Sequence, residues 1–160
     1  NREFLKNIKS KKIKLNLKYE PKFKEGSNEF SFLGIGWTKH GNNLSATSDG
    51  NFASLVFNLS ELKKDNYQLV IDIEGKVKHP NQNITINIKD KFNFKKKVIL
   101  NKKNKNFQIL IPINLNQIKN NKNYLLDFNI AGQVTDFDIL KSPDRKKIGF
   151  KINYIKLVKL

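Results

Sequence analysis

Apolar and polar residues exchange at every second position through Ile13-Lys14-Leu15-Asn16-Leu17-Lys18-Tyr19. That is the period of a strand with one face buried and the other wet. The same alternation recurs in Phe30 to Leu33, Phe52 to Leu59, Tyr67 to Glu74, Asn83 to Lys89, Lys95 to Leu100, Phe107 to Ile111, Tyr124 to Ile130 and Ile148 to Leu157. Each segment is rich in the β-branched and aromatic residues that suit a pleated, half-buried surface. The pattern predicts about nine antiparallel strands.

Between these runs lie turn-forming clusters: Glu25-Gly26-Ser27-Asn28, Gly41-Asn42-Asn43, Ser48-Asp49-Gly50-Asn51, His79-Pro80-Asn81 and Ser142-Pro143-Asp144. Short strands broken this regularly point to an all-β sandwich or barrel. Helical periodicity is confined to one turn around Ser60 to Lys64 and another around Leu115 to Lys119, so at most one or two short helical turns are expected. The 160 residues suffice for one substantial core and fall short of two. Residues 13–160 read as a single domain. Residues 1–12, dense in lysine, read as a basic linker or the tail of a preceding domain, and the missing initiator methionine suggests a piece of a larger protein.

Composition removes several chemistries. The chain has no cysteine and only His40 and His79, which excludes disulfides, thiol catalysis and any multi-histidine metal site. No apolar run approaches the roughly 20 residues that a membrane-crossing helix needs. The net charge of +17 and pI near 10.0 ordinarily raise nucleic acid or an anionic surface as partner. Here lysine is spread from end to end among abundant asparagine, which argues for compositional bias and against nucleic acid.

Candidate chemistry is sparse. Asp49 and Asp144 sit in turn sequences where an aspartate caps backbone. Glu29, Asp49, Asp136, Asp138 and Asp144 have no spacing that would pair two acids across a glycosidic bond. Ser45, His40 and Asp49 lack the strand-to-helix elbow that holds a nucleophile. Gly34-Ile35-Gly36 lacks the third glycine and the helix of a dinucleotide loop, and reads as a close backbone passage between strands. Asp136 and Asp138, with Asp49 or Asn51, have the oxygen chemistry of a calcium site but no diagnostic spacing. No catalytic residue, metal ligand or cofactor is assigned.

The only tryptophan lies in Phe32-Leu33-Gly34-Ile35-Gly36-Trp37-Thr38-Lys39-His40-Gly41. An aromatic face beside hydrogen-bonding groups suits a sugar ring; the alternative is an indole plugging one end of the core. Gly34-x-Gly36-Trp37, Ile111-Pro112 and the closing Ser142-Pro143-Asp144-Arg145-Lys146-Lys147-Ile148-Gly149-Phe150 together resemble a jelly-roll accessory domain. Such domains lie at the C-terminus of bacterial surface-polysaccharide glycosyltransferases and phosphoglycerol-transferase-like proteins.

That resemblance implies a noncatalytic, carbohydrate-binding-module-like domain, with Trp37, His40, Asp49, Asp144 and Arg145 lining a glycan site. Its partner would be a surface glycan or the neighbouring transferase domain, and its location cytoplasmic, or periplasmic beside a membrane-anchored parent. The competing expectations are a structural or protein-interaction sandwich without a ligand, and a basic polyanion-binding module. Exposure of Trp37 separates the first two.

Overall fold

The computed structural model describes residues 32–40, 43–59, 62–116, 123–135 and 146–160. Nine strands run in chain order: β1 (Trp37–His40), β2 (Asn43–Asp49), β3 (Phe52–Asn58), β4 (Asn66–Gly75), β5 (Ile84–Asp90), β6 (Lys95–Leu100), β7 (Asn106–Asn114), β8 (Asn123–Ala131) and β9 (Ile148–Lys159). They form a five-stranded sheet, ordered β1-β2-β9-β4-β7, and a four-stranded sheet, ordered β3-β8-β5-β6. Every pairing is antiparallel.

The pairings nest. β5 pairs with β6, β4 with β7, β3 with β8 and β2 with β9, as if one long hairpin had been rolled up so that successive pairs fall in alternate sheets. β4–β9 and β5–β8 contacts then knit each sheet laterally. This is the connectivity of a jelly roll, and the all-β sandwich expectation holds.

The alternation seen in sequence becomes the core. β4 turns Tyr67, Leu69, Ile71 and Ile73 inward, facing Ile84, Ile86 and Ile88 of β5 and Leu126, Phe128 and Ile130 of β8 among the buried residues. β7 contributes Ile109, Ile111 and Ile113. Pro112, which has no N–H to give a ladder, is tolerated because β7 is the edge of its sheet among the described strands.

Seven of the nine predicted strands are found. Ile13 to Tyr19 lies outside the described residues, as do residues 1–12. Within Phe30 to Leu33, the described part makes a single bridge, Leu33 to Leu55, instead of a strand. The strands not anticipated are β1 and β2. The described part of the Ser60 to Lys64 segment is a bend, and Leu115-Asn116 is a turn.

β2 joins β9 through an irregularity. Thr47 faces Lys151 and Asp49 faces Ile148, so Ser48 alone opposes Gly149 and Phe150. Two β9 amides thereby lose ladder partners. The wholly buried Ser48 hydroxyl oxygen accepts both, from Gly149 N at 3.2 Å and Phe150 N at 3.0 Å. Ser48→Ala is therefore expected to lower stability by about 1–3 kcal/mol for each donor left unpaired. A urea midpoint indistinguishable from the parent would remove this role from the hydroxyl.

Candidate functional site

The segment before β1 is pinned to β3 by one residue. Ser54 accepts Gly34 N (2.8 Å) and Trp37 Nε1 (2.9 Å) at its carbonyl, accepts Ile35 N (3.1 Å) at its hydroxyl, and donates its own N–H to Ile35 O (3.1 Å). Gly36, at φ +85°, passes so close that a Cβ would overlap the Phe52 carbonyl and lie 2.8 Å from the Ala53 Cα. The two glycines are a backbone passage, as the sequence suggested.

That passage delivers Trp37 into the core. Its indole is 6% exposed and meets Phe150 and Phe128 edge-on at 5.7 and 6.5 Å. An enclosed ring offers no stacking platform, so the Trp37-centred sugar site expected from sequence is corrected to the core-plug alternative.

The other expected site residues do not converge around it. Asp49 Oδ1 accepts Lys147 N at 2.9 Å, tying the β2–β3 turn to the entry of β9. The aspartate is structural, as its turn suggested, but it spans two distant loops instead of capping its own. His40 ends β1 opposite Asn43, at the far end of the seven-residue β2 from Asp49. Asp144 and Arg145, like Asp136 and Asp138, lie outside the described residues. Among the described residues, no cluster of three or more His, Cys, Asp or Glu side chains is arranged to hold a metal.

A different site lies at the opposite end of the sandwich from Asp49, where β4, β6 and β8 begin and β5 and β7 end. A cleft of about 530 Å³ is lined there by Asn66, Tyr67, Asp90, Phe92, Asn93 and Phe94, with Lys95, Pro112, Ile113, Asn114, Tyr124 and Leu160 completing it. This volume falls in the range usual for ligand clefts.

Asp90 organises the cleft. Its Oδ1 accepts Phe92 N (2.8 Å) and Phe94 N (3.1 Å), folding the β5–β6 turn around the carboxylate. Its Oδ2 accepts the Tyr124 hydroxyl at 2.7 Å. Burial, followed by the hydrogen bond and negative charge of Asp90, holds the Tyr124 phenol far above its ordinary range, so it stays a donor. Tyr124 in turn backs Phe92: the rings are 11° from parallel with centroids 6.4 Å apart. Phe92 remains 44% exposed. Its ring is offset-stacked on Tyr124, and the exposed Asn66 and Asn93 line the same cleft.

This site has only a faint signature in the sequence. The signal available was Asp90-x-Phe92-x-Phe94, an aspartate able to fold a turn around itself with aromatics at two following positions. The support, Tyr124, comes from another strand.

No protein-family model matches the chain, and no curated protein matches its sequence. Among solved structures, it is similar to part of a family GH115 4-O-methyl-α-glucuronidase with specificity for decorated arabinogalactans. The TM-score is 0.42 at 8% identity, over 71% of this chain and 14% of that one. It is also similar to part of a cycloalternan-forming enzyme from Listeria monocytogenes, with TM-score 0.37 and 11% identity, over 69% of this chain and 9% of that one. The chain thus spans a small fraction of either protein.

Proposed function

We propose that this chain is a noncatalytic carbohydrate-binding domain of a larger bacterial protein, and that it holds sugar at the Phe92–Tyr124 cleft. The observation that carries this reading is the exposed Phe92 ring, fixed against a buried tyrosine and flanked by amides. A pyranose presents C–H groups on its faces and hydroxyls at its rim, which ask for an aromatic plane with polar groups around it. The sequence motifs shared with accessory domains suggest the finer assignment, a surface-polysaccharide glycosyltransferase as parent. Cytoplasmic placement goes with a parent that uses sugar nucleotides. No reaction is assigned to the domain.

The test is affinity electrophoresis through gels containing soluble polysaccharides. Phe92→Ala should weaken retention by at least tenfold, about 1.4 kcal/mol, while melting close to the parent. Retention indifferent to Phe92 would move the site elsewhere.

A second reading, a docking domain, is favoured by the outer face of the five-stranded sheet. There Leu110 and Val158 are 48% and 39% exposed, close to Val70 and Pro112. Absence of binding to every glycan, with Leu110→Ser altering association with a neighbouring domain, would favour it.

A further inference from the structure

Lysine is scattered along the sequence, yet the fold gathers one acid-poor track. From Lys91 through Leu126 the chain contains no acidic residue. This stretch includes β6, an edge strand, whose Lys95, Lys96 and Lys97 are all exposed, and the β6–β7 turn with exposed Lys102, Lys103 and Lys105.

Among the described residues, most acids elsewhere are engaged. Asp65 pairs with Lys159 and Glu74 with Lys76. Asp72 accepts Asn153 Nδ2, Asp49 accepts Lys147 N, and Asp90 is held by Tyr124. Among the described acids, Asp127 faces the track beyond the cleft, opposite Lys89, and burial raises its pKa against the pull of Lys89 and Lys91.

The track is shaped as well as charged. It begins at the cleft, where Lys95 is part of the lining. It continues as a groove of about 240 Å³ between Lys89, Lys95, Lys96, Lys97, Asn87 and Asn129. Further along β6, past the exposed Ile99, a separate hollow of about 400 Å³ is lined by Asn81, Asn83, Asn101, Lys102 and Lys103 with Pro80 and Gln82. The last turn is preset, since Asn101 Oδ1 accepts both Lys103 N (3.1 Å) and Asn104 N (2.9 Å).

Edge lysines protect a sheet from adding foreign strands. That accounts for β6 but not for Lys89, which is on an inner strand and faces Lys95 directly across the ladder. Like charges so placed destabilise a sheet; Asp127, opposite Lys89 on its other side, offsets one of the two, and a bound anion balances the charge left over.

We infer that the ligand of this domain is an acidic polysaccharide, seated with one sugar at Phe92 and running along β6 toward Lys102 and Lys103. The inference rests on the cleft reading above. Lysines supply point charges to the carboxylate or phosphate groups, and the Asn87 and Asn129 amides suit hydroxyls between them. The described track has no row of exposed aromatic rings on which successive nucleobases would stack.

The test compares the intact chain on polygalacturonate, neutral dextran and oligo(dT) at low and high salt. Polygalacturonate should bind at least tenfold tighter than dextran at low salt, with the difference shrinking as salt rises. K97Q/K102Q/K103Q, which leaves the cleft lining intact, should lose about tenfold toward polygalacturonate and nothing toward dextran. K146Q/K151Q/K156Q, with the same change in net charge, should keep both. Equal loss in the two triple variants would overturn the track and leave net charge as the cause. Binding that depends on Phe92 but not on these lysines overturns the track and spares the cleft. Failure of both polymers overturns both. Tighter binding of oligo(dT) than of polygalacturonate would overturn the assignment to polysaccharide.

Discussion

Replacing Trp37 by alanine is expected to destabilise the domain by about 3–5 kcal/mol, the usual cost of emptying a large aromatic site in a packed core. The indole sits where the two sheets meet, against Phe128 from one and Phe150 from the other. Most of the loss is cavity and contact, because the Ser54 carbonyl that accepts its N–H keeps Gly34 N as a second donor. Urea unfolding followed by far-ultraviolet circular dichroism measures the change, since the variant has no tryptophan left to report. In the parent, the emission should be blue-shifted and acrylamide should barely quench it. A loss below about 1 kcal/mol together with a readily quenched indole would mean that Trp37 faces solvent and would return it to consideration as a sugar platform.

Gly36→Ala should be similarly damaging for a different reason, and Gly50→Ala separates the causes. Both glycines have left-handed backbone, φ +85° and +95°. An alanine pays for that conformation at either position, about 1–3 kcal/mol. At Gly50 nothing lies within 4 Å of the added Cβ, whereas at Gly36 the methyl overlaps the Phe52 carbonyl. Gly50→Ala should therefore show strain alone. Gly36→Ala adds displacement of β3, with an expected loss beyond 3 kcal/mol or failure to fold. Equal midpoints for the two variants would contradict the close passage.

These two sites mark the boundary of what the chain's pattern discloses. The strands that line the core with large residues, such as β4 with Leu69, Ile71 and Ile73, are legible because alternation of big apolar and polar groups is itself the physical requirement for a half-buried strand. β2 is not legible. Its described inward positions carry Ala46 and Ser48, residues with little strand preference of their own, and what holds the strand is pairing with β9 a hundred residues later. β1 is hidden by the glycines before it, which look like a loop and instead serve as the path into the core. A lone tryptophan draws attention to Trp37, which the fold places in the core. In sequence Phe92 is one apolar residue among lysines and asparagines, and only the return of β8 brings Tyr124 against it.

The nested pairing also imposes an order on synthesis. β9 is the last of these nine strands to be made, yet it lies between β2 and β4 in the five-stranded sheet. At a translation rate of roughly 5–20 residues per second, β4 waits several seconds after its own completion for that neighbour. Its Leu69-Val70-Ile71-Asp72-Ile73 run meanwhile has one open edge of the kind that recruits other strands. β5 and β6, joined by a short turn, can form early, whereas closing β2 onto β9 demands a loop that contains nearly all the rest of the domain. Until β9 has left the ribosome, that edge of β4 stays without its native neighbour.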